Sequence, residues 1–209
     1  MDLKPVFDAF YDRLVLRDVA GKVVPGSILI FSLLVGAFGY EATTALLQKM
    51  GFPFWVILFG FSWLIAFALQ YIGEMLHLLR THPRDIDAIR AGEKEAWTDR
   101  RSFFLWLADF HDLASQEQKV HAERINVIRE ACGNTAISVA LSCLLLLICL
   151  WSREMLSWFP SFLFFAVALG VAFSLWRMHV IHVDRYGELV KRTVDFIKGN
   201  PDTQEGDTT

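Results

Sequence analysis

The chain has 209 residues, 54% of them hydrophobic and 14% aromatic, with a mean hydropathy of +0.38 and a formal charge of −3. So apolar a composition argues against an ordinary soluble domain, and the net charge is too small to argue for a nucleic-acid or acidic partner. Three cysteines, Cys132, Cys143 and Cys149, lack any paired spacing, so neither a disulfide framework nor a zinc knuckle is implied.

Residues 1–25 carry charges throughout and no apolar core before Pro25, unlike a secretory leader. Val6, Phe7, Phe10 and Leu14 alternate with Asp8, Asp12, Arg13 and Arg17 at helical spacing. The segment reads as an amphipathic helix on the cytoplasmic side, ended around Gly21 and Pro25-Gly26. It lies along the inner membrane surface or packs on other helices. Apolar runs follow at 26–47 (GSILIFSLLVGAFGYEATTALL) and 54–71, within a first transmembrane hairpin over 26–79. Each run is close to the ~20 residues that cross ~30 Å of hydrocarbon. Glu41 is the acid of the first run. It is either an intramembrane functional group or, if the span ends near Tyr40, a headgroup-zone residue.

Residues 80–133 form a cytoplasmic helical segment. The second span continues through GEMLHLLRTH until Pro83, and Ala91-Gly92 marks a turn. A helix from Trp97 presents Phe103, Phe104, Trp106, Leu107 and Phe110 on one face. Another, polar at first, starts near Ser115 and enters the third span. The second hairpin covers 134–178, with apolar runs at 134–151 and 161–176, and a cytoplasmic helix continues over 179–198. The tail, 199–209, is acidic and lacks large apolar residues, the composition of a disordered segment. The outer turns MGFPFW and SWFPSF resemble each other, with aromatics suited to the interface. Of the 20 lysines and arginines, 18 fall on one side of the spans, which the positive-inside rule makes the cytoplasm. The expected fold is all-α: a multi-pass protein of the bacterial inner membrane with four transmembrane helices as two hairpins. Both termini are cytoplasmic, and long helices extend into a small cytoplasmic helical domain.

Histidine is the first candidate for chemistry. His179-x-x-His182 puts two imidazoles on one helix face and Glu74-x-x-His77 a carboxylate and an imidazole, which makes His77, His179 and His182 the candidate metal ligands. A di-iron bundle needs two such Glu-x-x-His motifs and two more glutamates, so interfacial or pairing histidines are the expectation and no cofactor is expected. Arg177 and His182 match the Arg-x4-His pattern of HEPN-type ribonucleases, in which the imidazole acts as general base and the guanidinium stabilises phosphate charge. Arg177 also stands where a cation snorkels to the headgroups.

An all-helical small membrane protein with Arg177 and His182 in its last sixth resembles the HEPN-like membrane accessory proteins of type VI-B CRISPR loci. The resemblance implies an oligomeric pore supporting antiphage defence rather than a conventional nuclease.

Small and polar residues recur every four positions inside the spans: Asn134, Ser138 and Ser142 on the third, Ala166, Gly170 and Ser174 on the fourth, Ser32 and Gly36 on the first. Such stripes let helices approach closely, within one bundle or at a subunit interface or pore. No phosphate-binding loop or nucleophile elbow occurs in the sequence. The leading expectation is therefore a non-enzymatic, homo-oligomeric effector or channel-like subunit. It lies in the lipid bilayer and responds to a cytosolic protein or small-molecule signal, without direct nucleic-acid binding. The alternatives are a membrane enzyme using the cytoplasmic-side histidines for metal-dependent or phosphodiester chemistry, and an anchor for a cytosolic partner.

Overall fold

The computed structural model describes residues 18–76, 78–80, 83, 100–152 and 158–199. Its regular structure is helical throughout. A π-helical stretch over 18–23 leads into α1 (Val24–Phe38), followed by α2 (Tyr40–Lys49), α3 (Phe52–Met75), α4 (Arg100–Leu113), α5 (Gln116–Ser152) and α6 (Trp158–Ile197). Four stretches are long and apolar enough to cross a membrane: Asp18–Phe38, Phe52–Met75, Gln116–Trp151 and Phe162–Ile197.

The first of these differs from the run read in the sequence, beginning at Asp18 and ending at Phe38. Gly39 has φ +86° and ψ 162°, a conformation open to glycine and costly for residues with a Cβ. Its N–H still donates to the Val35 carbonyl at 2.8 Å, and its carbonyl accepts from Thr43 N–H at 3.0 Å, so the chain turns without losing its backbone bonds. One glycine thus divides an apolar run that composition reads as continuous.

By internal contacts the chain divides into two compact units. The first comprises Met1–Leu79 and Glu130–His179, the second Arg80–Arg129 and Val180–Thr209. Both α5 and α6 supply residues to each. In the first unit Leu29, Leu69, Leu79 and Ile137 form the core, with Ile65, Leu141 and Leu145 packed against it. Gly26 lies directly on the backbone of Ser62, and the Ser27 hydroxyl donates to the Ser62 hydroxyl at 3.0 Å. Lipid tails are as apolar as leucine, so this close backbone approach is what holds α1 to α3. Of the apolar stretches, those of α1 and α5 are each 39% buried, against 17% for α3 and 11% for α6. The first two are therefore the inner helices. Phe59 and Phe61 of α3 and Phe162 and Phe164 of α6 are exposed, as on a lipid-facing surface.

In the second unit a capping box starts α5: Ser115 N–H donates to Gln118 Oε1 at 2.8 Å, and Gln118 N–H to Ser115 Oγ at 3.3 Å. Phe110, Ala114, Ala122, Val190 and Val194 form the core, bordered by Trp106, Leu107, Tyr186 and Leu189. Lys191 lies over the Trp106 ring at 5.4 Å and Arg129 over Tyr186 at 5.8 Å. Lys198 pairs with Asp109 at 2.6 Å, but both side chains are more than a third exposed, and water screens such a pair to little net value.

Two glycine substitutions separate packed from unpacked positions. Gly26→Ala puts a methyl into the Ser62 backbone and is expected to cost about 1–3 kcal/mol, while Gly170→Ala, where a Cβ meets nothing within 4 Å, changes stability by less than about 0.5 kcal/mol. Equilibrium unfolding in mixed detergent micelles measures both.

Candidate functional site

The segment DVAGKVVPG, 18–26, puts a proline inside the helix of the first span. Pro25 has no N–H, so the α-helical bond to the carbonyl of Gly21, four residues back, cannot form. The backbone widens to π geometry over 18–23, just before the proline, and such bulges concentrate at functional places. The side chain of Asn134 on α5, 0% exposed, donates from Nδ2 to the Gly21 carbonyl at 2.9 Å.

Lys22, next along, is 6% exposed. Its Nζ stands 3.5 Å from the centre of the Phe67 ring and 5.9 Å from that of Trp63, two rings packed edge to face at 4.5 Å. The Trp63 indole N–H points to the Asp18 carboxylate at 3.4 Å. An ammonium inside a membrane helix is costly, and aromatic faces on α3 offset part of that cost. These four residues were missed in the sequence, which placed 18–25 before the first span. The available signal was the Asp18-x-x-x-Lys22 spacing, one helical turn, running through Pro25-Gly26 straight into the apolar run.

The contact of Cys149 Sγ with Gly36, 2.9 Å from where a Cβ would stand, has the same sequence offset as Asn134 to Gly21, 113 residues. So α5 runs parallel to α1 and in step with it. Asn134, Ser138 and Ser142, four apart, share the face of α5 turned to α1. Ser138 is 0% and Ser142 5% exposed. The oxygens Asn134 Oδ1, Ser138 Oγ and Ser142 Oγ are buried without a hydrogen-bond partner. Ser32 and Ser174 behave differently, each donating at 2.8 Å to the carbonyl one turn back.

The other sequence candidates lie apart from this seam. Gly170 and Ser174 are exposed, on the outer face of α6. Glu41 is exposed in the first turn of α2, beyond the Asp18–Phe38 stretch. A carboxylate there complements the positive end of the helix. Arg177 is exposed whereas His182 is 7% exposed, and five residues of helix turn by about 140°, so the two are not brought together on α6. His179, 3% exposed, packs against Gly133, with Nδ1 2.7 Å from where a Cβ would stand. His77 lies outside the described residues. Among the described residues no three His, Cys, Asp or Glu side chains gather as a metal site would require.

Two polar features therefore stand in the first unit: a buried cation on the aromatic rings of α3, and a line of amide and hydroxyl oxygens on α5. No family model matches the chain, and no curated protein or solved structure matches it significantly.

Asn134→Leu removes the donor for Gly21 and is expected to lower stability by about 0.6–2 kcal/mol, the range for a hydrogen bond between membrane helices. Unfolding of wild type and variant in mixed micelles checks the value.

Proposed function

We propose that the chain is a channel-like effector subunit of a bacterial inner membrane, assembled as a homo-oligomer and opened by a signal from a cytosolic protein or small molecule. The observation that carries this reading is the buried seam of Asn134, Ser138 and Ser142, whose oxygens lack partners inside an apolar helical unit. Polar groups within membrane helices are expensive and mark paths for ions or protons. Lys22, buried on the rings of α3 and next in sequence to the Gly21 that Asn134 contacts, belongs to that class.

The remaining elements of the proposal have separate support. The lysine and arginine distribution favours cytoplasmic termini and two transmembrane hairpins. The exposed small-residue face of Ala166, Gly170 and Ser174 suits close contact between copies. Signal reception falls to the second unit, to which α5 contributes before supplying Asn134, Ser138 and Ser142 to the first. Antiphage defence as the setting follows from the resemblance carried by Arg177 and His182.

Purified protein in liposomes tests the reading. A discrete oligomer is expected, with flux of small inorganic species that falls at least about tenfold in Ser138→Leu, which fills the seam with an apolar side chain. A monomer without flux, alone and with cytosolic extract, overturns it.

A further inference from the structure

Along α5 the helical rise of about 1.5 Å per residue separates Asn134 from Ser138, and Ser138 from Ser142, by about 6 Å. One water molecule making two hydrogen bonds of about 2.8 Å links oxygens about 4.5–5.5 Å apart, a separation that side chains at this spacing reach by leaning towards one another. Asn134 Oδ1 and the two hydroxyls are buried and unpartnered, and among the described residues of the first unit they are three such groups in line. Each serine has an internal alternative, the carbonyl one turn back, which Ser32 and Ser174 take and these two do not. Buried water occupies polar sites that offer it two to four partners, and this seam offers an acceptor at one end and two groups that both donate and accept.

We infer that the Asn134–Ser138–Ser142 face of α5 binds a single file of water, one molecule between each pair of side chains, and that, resting on the channel reading above, the permeant species is the proton rather than a hydrated ion. The face carries no ionised side chain, and an amide with two hydroxyls has too few ligands and too weak a field to replace the hydration shell of Na⁺ or K⁺. A proton needs no such set of ligands, only a chain of oxygens that both donate and accept. Each hop breaks one O–H bond on the donating oxygen and forms one on the next, with the electron pairs staying on their oxygens. A serine that accepts a proton from one water gives its own to the next, so one proton leaves the file for each that enters. The amide of Asn134, held by Gly21, anchors the end of the file and does not itself carry the proton. Chloride, which the Lys22 ammonium favours electrostatically, is the competing permeant.

Two measurements on the full-length protein in liposomes decide the matter. Magnetisation transfer from water to the Ser138 and Ser142 Cβ nuclei, by solid-state NMR, reads the water directly. A pH-reporting dye sealed inside the vesicles reads proton flux, with parallel vesicles loaded to report Na⁺ and Cl⁻. The expected result is fast water transfer to both serines and proton flux alone. That flux falls at least tenfold in the Ser138→Ala/Ser142→Ala double variant, which keeps the packing nearly unchanged, and is retained in Ser138→Thr, which keeps the hydroxyl. Absence of water transfer overturns the water file whatever the flux. Na⁺ or Cl⁻ flux equal to proton flux, or proton flux indifferent to the double alanine, overturns the proton assignment and leaves a channel standing. Water transfer without flux of any species, alone and with cytosolic extract, leaves the bound water and overturns the channel reading itself.

Discussion

Hydrocarbon offers no water to a carbonyl that has lost its helical partner, and Pro25 withdraws the usual partner of Gly21. The organisation of the first unit depends on how that carbonyl is satisfied. Because Asn134 supplies the donor, α5 is drawn against the helix of the first span at one depth and one rotation. The same register brings Cys149 onto Gly36, where a larger residue would hold the helices apart. It also turns Ser138 and Ser142 inward, since they follow Asn134 at four-residue steps. On another side of α1, Gly26 sits on the Ser62 backbone, so the residue next to the proline serves α3 while the proline's lost bond serves α5.

The same short segment contains a charge that the membrane would otherwise reject. Lys22 reaches two aromatic rings of α3, and the indole of one of them turns its N–H to Asp18. Cation–π contacts are worth about 0.5–1 kcal/mol at exposed sites and about 2 or more when desolvated. By that scale the pairings of Lys191 with Trp106 and Arg129 with Tyr186 in the second unit are the ordinary kind, among partly buried groups. Lys22, nearly sealed from solvent, is the strong one. An apolar side chain would be the cheaper occupant of that position in a span, so the burial of this lysine depends on the aromatic faces of α3.

Much of the fold is legible in composition, because the length and apolarity of a spanning helix are properties of a window of residues. The boundaries of the first span are not, because Gly39 acts through a backbone angle that no hydropathy average contains. The site was legible in part. Asn134, Ser138 and Ser142 stand out by spacing, but so do Ala166, Gly170 and Ser174, and spacing is silent on which stripe meets a neighbour. The structure buries the first and exposes the second. Lys22 and Trp63 escaped for a different reason. They are 41 residues apart, and only the packing of Gly26 on Ser62 brings their stretches of chain to one level.

The difference between the two stripes has a consequence for how a polar seam survives in a membrane protein. On α6 the serine hydroxyl is spent on its own helix, so an exposed Ser174 presents little polarity to lipid. On α5 the hydroxyls stay uncommitted, which is tolerable only because the surrounding protein buries them away from hydrocarbon. Shielding and reactivity to water are thus two sides of one arrangement. A displacement of α5 relative to α1 by a single turn, about 5.4 Å, would leave the Gly21 carbonyl without Asn134 and strand all three polar groups. The Asn134 bond and the Cys149–Gly36 contact therefore hold α5 to α1 in one register.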